Sequence, residues 1–130
     1  MKTLLPPGWP RPKGYANGIS AKGRLIVTAG VVGWNAREEF ETDDLVGQFR
    51  QILLNTLDIL VADGAGPQHV VRMTCYVADI AAYRAGLAGI GAAWRELMGK
   101  NFPAMAVVGV TALVEPRAKV EIETMAMVPE

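Results

Sequence analysis

A chain of 130 residues, 51% hydrophobic and 20% charged, is too apolar to be disordered and too short for more than one ordinary domain spanning residues 1–130. Its 13 basic and 13 acidic residues cancel, and no lysine-arginine run supplies the footprint that neutralises phosphates, so no nucleic-acid partner is expected. A single cysteine excludes an intrachain disulfide, and a single histidine argues against a structural zinc site within one chain.

The chain opens on residues 1–13, where Pro6, Pro7, Pro10 and Pro12 surround Trp9. Proline fixes φ and removes an N–H donor, so this segment is predicted to be an extended arm. It lacks the long apolar run of a signal peptide, and nowhere do about 18 apolar residues follow one another as a membrane span requires. A cytoplasmic protein without a membrane partner is expected. Residues 15–20 and 25–29 read as strands, and the turn at 21–24 predicts a hairpin between them. Gly30 and Gly33 then bracket a loop that carries Trp34, where the backbone can bend or approach a ligand.

Thr42 is a candidate cap for a helix with Asp43 and Asp44 in its first turn. Leu45, Phe49, Ile52, Leu53, Leu57 and Leu60 then recur at steps of three and four, the pattern of a helix with one buried face. Residues 70–77 are rich in β-branched side chains and predict a buried strand, with Cys75 as apolar filler. A second helix is predicted from about residue 80 or 83 to 98, with Gly86, Gly89 and Gly91 permitting close packing. Residues 105–111 and 119–128 predict two last strands. In the final one Val120, Ile122, Thr124 and Ala126 alternate with Glu121, Glu123 and Met125. This order predicts an α/β fold, a mixed sheet with both helices on one face. The other face is left open. The natural cover for it is a second copy of the same sheet, so an oligomer is expected.

Several short segments, in order, resemble the RidA/YjgF family of reactive-intermediate deaminases. They are Gly14-Tyr15, Val27-Thr28-Ala29-Gly30, the helix over 48–64, the run 70–79, Phe102-Pro103-Ala104 and Lys119-Val120-Glu121-Ile122-Glu123. The resemblance implies a chorismate-mutase-like fold and a homotrimer, with three sheets as an inner barrel and small-molecule clefts between subunits. It implies hydrolysis of enamines or imines to carbonyl compounds and ammonia, with no metal or organic cofactor.

The same resemblance assigns the site. Glu121 matches the glutamate that positions the attacking water, and Tyr15 matches a substrate-holding tyrosine. Backbone groups near Gly30 and Val107 would orient the substrate. Three polar positions are replaced. Met105 stands where an arginine clamps the substrate carboxylate, and methionine cannot form that pair. Ala29 stands where a small hydroxyl residue precedes the glycine, and Leu87 or Ala88 stands where an asparagine lies in the second helix. Poor activity on simple 2-imino acids is therefore expected. A larger, less charged or aromatic-derived substrate would suit the apolar lining and Trp34, and Arg72 is a candidate replacement for the clamp. A second reading is a non-catalytic trimer that holds a hydrophobic metabolite. RNA cleavage, attributed to some relatives, fits neither the neutral charge nor the lone histidine.

Overall fold

The run that reads most plainly as a strand, Val70–Val77 (β5), lies at the centre of the protein. In the computed structural model, which describes residues 1–130, it pairs antiparallel with Val120–Val128 (β7) and parallel with Ala104–Gly109 (β6). Parallel neighbours need a crossover connection, here made by two helices, Ile80–Ala85 (α2) and Leu87–Met98 (α3). The far edge of β7 takes Arg24–Val27 (β3), at Met125 to Val128, and Val31–Val32 (β4), at Glu121 and Ile122. Leu45–Val61 (α1) packs beside α3 on the sheet.

The two-residue alternation of strands decides what is buried. Met73, Cys75 and Val77 of β5 and Val120, Ile122 and Ala126 of β7 meet Phe49, Ile52, Leu53 and Leu60 of α1 and Trp94 and Met98 of α3 in one core. Arg72, Thr74, Tyr76, Glu121, Glu123 and Met125 occupy the intervening positions, on the face that no helix covers. Apolar residues remain on that face: Val27 is 59% exposed and its cross-strand partner Met125 is 46% exposed. The expected mixed sheet with one open face is the observed one. No helix is long and apolar enough to cross a membrane.

Three local expectations are corrected. Gly18–Ser20 (β2) pairs with Lys2–Leu4 (β1) in a separate two-stranded sheet, so the hairpin between residues 15–20 and 25–29 does not form. Residues 2–4 precede the prolines and keep their N–H donors, while β3 finds a longer partner in β7. The cap of α1 is Asp44 rather than Thr42. The Asp44 carboxylate accepts from Gly47 N at 2.8 Å, and Thr42 Oγ1 accepts from Asp44 N at 3.0 Å. The second helix is broken at Gly86. A Cβ at Gly86 or Gly89 would stand 2.9 or 2.8 Å from a methyl of Val46, so both glycines let α1 approach closely.

One polar side chain ties these layers together. Gln48 of α1 is fully buried, and its Nε2 donates to the carbonyls of Thr42 and Arg117, each at 3.0 Å. Its Oε1 accepts from Lys119 N at 2.7 Å, so the start of α1 is fastened to the chain entering β7. Gln48→Leu keeps the volume and leaves these backbone groups without their partner. It is expected to lower the unfolding free energy by about 3 kcal/mol, as read from urea denaturation.

Candidate functional site

A cleft of about 430 Å³ opens between α3, β6 and the segment that leaves the N-terminal arm. Leu87, Gly91, Trp94 and Arg95 reach it because steps of three and four place them on one side of α3. Met105 and Val107 reach it from alternate positions of β6. Tyr15 is held there by its neighbour: Ala16 bridges to Ala104 and its N–H donates to Pro103 O at 2.9 Å. Trp94 stacks on Phe102 with ring centroids 6.3 Å apart and planes 10° from parallel. The Trp94 Nε1 donor is buried and finds no acceptor in the chain.

A second, shallower concavity of about 320 Å³ lies on the open face of the sheet and contains Gly30, Tyr76, Glu121 and Glu123. Glu121 stands opposite Val32 on β4 and Tyr76 on β5. Its carboxylate lies directly against Gly30, in the space that a Cβ there would occupy. Tyr76 donates its hydroxyl hydrogen bond to Glu123 Oε1. That bond is the main reason why the Tyr76 pKa is raised. Partial burial and the charges of Glu123 and Glu121 add to it, and Arg72 opposes it. Glu121 itself has no ion-pair partner within the chain.

The two concavities are on opposite sides of one sheet. Met105 is in register with Met73, on the helix-covered face, whereas Glu121 is in register with Tyr76, on the open face. Tyr15, Met105 and Val107 are thus brought together in the cleft, and Gly30 and Glu121 are brought together elsewhere. Exposed Ala29 precedes Gly30. Trp34 is in neither group: it packs on Phe40 at 5.7 Å, in a depression that also includes Arg117. Of the two helical candidates, Leu87 lines the cleft and its neighbour Ala88 does not. Arg72 of β5, opposite Ala104 of β6, sits on the open face, away from Met105. No group of three or more His, Cys, Asp or Glu side chains converges as a metal site would require.

The cleft also contains Lys13, Tyr83 and Arg95, to which neither the sequence motifs nor the resemblance assigns a role. Arg95 lies four residues beyond Gly91 and eight beyond Leu87, a helical spacing that could have pointed to it. Behind the cleft, burial pushes the Cys75 thiol up to about 12, so this cysteine is neutral filler. Burial, with a smaller contribution from Cys75, pushes the Tyr83 hydroxyl up to about 12.

The comparisons agree with this architecture. A family model described as Endoribonuclease L-PSP matches residues 10–128. A Rid-family protein of unknown function from Yersinia pestis, YyfB, is 32% identical with a TM-score of 0.86, the match covering 98% of each chain. Rv2704 from Mycobacterium tuberculosis, a member of the YjgF/YER057c/UK114 family, is 35% identical over 88% of this chain and 87% of its own, with a TM-score of 0.67. The YjgF gene product of E. coli is 28% identical, covers 98% of each chain and has a TM-score of 0.68. No curated protein matches. The chorismate-mutase-like fold implied by the sequence is the fold found.

The Cys75 and Tyr83 pKa values, both pushed up to about 12, have a consequence for stability. Each neutral group contributes stability that is fully present below its ordinary pKa, 9.0 for the thiol and 10.0 for the phenol, and is lost as the pH rises toward about 12. Urea denaturation should show stability falling across this alkaline window. The fall should be shallower in Cys75→Ala and in Tyr83→Phe.

Proposed function

We propose that this chain, which belongs to the endoribonuclease L-PSP (Rid/YjgF) family, hydrolyses an enamine, imine or related reactive nitrogen compound, with Glu121 positioning the water. The observation that carries this reading is the Glu121 carboxylate, set against Gly30 in a concavity and free of any ion pair. A carboxylate so placed can act as a general base. Water adds to the carbon of the protonated C=N bond, its proton passes to Glu121 and the π electrons go to nitrogen. The carbinolamine nitrogen then takes that proton back, the hydroxyl proton passes to Glu121 as the C=O bond forms and the C–N bond breaks, and the products are a carbonyl compound and ammonia.

Glu121 cannot reach the Tyr15–Met105–Val107 cleft of its own chain, because the sheet lies between them. A complete site in this reading joins the cleft of one copy to the open face of the next. Exposed Val27, Val108 and Met125 on that face support such an interface, since apolar surface of this kind is normally covered. The homotrimer implied by the resemblance provides it. Tyr15 would hold the substrate, and backbone groups at Gly30 and Val107 would orient it.

The apolar side chain at Met105 leaves no carboxylate clamp beside the reacting carbon, which favours a larger, aromatic-derived substrate over a small 2-imino acid. A second reading, a metabolite-holding protein without turnover, is favoured by the mainly apolar cleft lining. RNA cleavage gains nothing from a net charge of +0.

Ammonia release from a panel of enamines separates the readings. Glu121→Gln is expected to lower kcat by about 10²- to 10⁴-fold, the range for loss of a positioned general base. Met105→Arg is expected to raise activity on 2-iminopropanoate. A wild-type protein that accelerates loss of no member of the panel would leave the holding function instead.

A further inference from the structure

The cleft is apolar along most of its wall, yet two cations, Lys13 and Arg95, border it and no Asp or Glu does. Neither cation forms an ion pair within the chain. The adjacent carboxylate, Glu96, lies on another side of α3 and accepts from Arg50 Nη2 and Nε at 2.9 and 3.1 Å. The Arg95 guanidinium lies over Gly91, one turn earlier on α3. A Cβ there would stand 3.3 Å from Arg95 Nη1, so the side chain folds back over Gly91, itself part of the cleft wall. The stacked Trp94–Phe102 pair lies beside it, with the Trp94 Nε1 donor unpaired.

An unpaired guanidinium at the rim of an aromatic cleft selects an anion with an apolar body, because a planar fork of donors matches a carboxylate in two parallel bonds. We propose that Arg95 is the specificity-determining residue of the cleft, which takes a carboxylate attached to an aromatic or comparably bulky apolar group. The proposal rests on the cleft being the binding half of the site described above, but it does not require turnover. It replaces a clamp beside the reacting carbon by one on the helix wall, so the carboxylate and the reacting carbon of the ligand lie further apart than in a 2-imino acid.

Titration calorimetry with the unreactive pair 1-naphthylacetate and 1-naphthylacetamide tests this on the full chain. The wild type is expected to bind the acid about tenfold more tightly than the amide, the usual scale of a charge-assisted pair at a partly exposed site. Arg95→Gln should remove that preference and leave amide binding unchanged. Arg24→Gln, a surface arginine remote from the cleft, should leave both as in the wild type. Glu121→Gln should also keep the preference, so loss of turnover and loss of recognition are read separately. Equal binding of acid and amide by the wild type, an undiminished preference in Arg95→Gln, or no binding of either compound would overturn the proposal.

Discussion

The two-residue alternation of a β-strand governs this molecule more than any single contact. In β7, and in β5 from Met73 onward, every second side chain enters the helix-covered core, and those between stand on bare sheet. The same rule extended to β6 sends Met105 and Val107 toward α3, while Glu121 and Tyr76 point away. A one-residue slip anywhere in this ladder would exchange the two sets. The register is held by the core itself and by Gln48, whose buried amide fastens α1 to the chain entering β7.

From that constraint the functional account follows. One side of the sheet offers an apolar cleft with aromatic walls and unpaired cations at its rim. The other offers a carboxylate seated against a glycine, beside a tyrosine–glutamate pair. Neither half resembles a full active site, because a cleft without a base binds and a base without a cleft has nothing to act on. In the proposed reading a neighbouring copy completes each site, and the exposed apolar residues of the open face do the joining. Gly30 belongs to this logic: it admits the Glu121 carboxylate at the edge where a neighbour's cleft would arrive.

Much of this was legible before any coordinates. The apolar stripe of α1, the strand at residues 70–77 and the alternation after residue 119 each carry a period strong enough to fix an element and its buried face. The failures have local causes. Gly23 in the 21–24 turn suggested a hairpin, but strand pairing is a contest among distant partners, and Lys2–Leu4 and β7 won it. Thr42 and Asp44 are both good caps, and only backbone geometry chooses between them. The helix breaks at Gly86, whose φ of −94° and ψ of 9° leave the helical range, and no period reveals it. At the site, the residues assigned by resemblance belong to clefts between subunits, and within one chain they lie on opposite faces of the sheet. Arg95 escaped notice because a charged residue on a helix usually faces solvent.

The central claim is that cleft and carboxylate meet only between copies of the chain. Light scattering at micromolar concentration tests it most directly. The account predicts a particle of three times the chain mass. A particle of one chain mass at that concentration would contradict it, since Glu121 and Met105 would then remain on opposite faces of an unpartnered sheet.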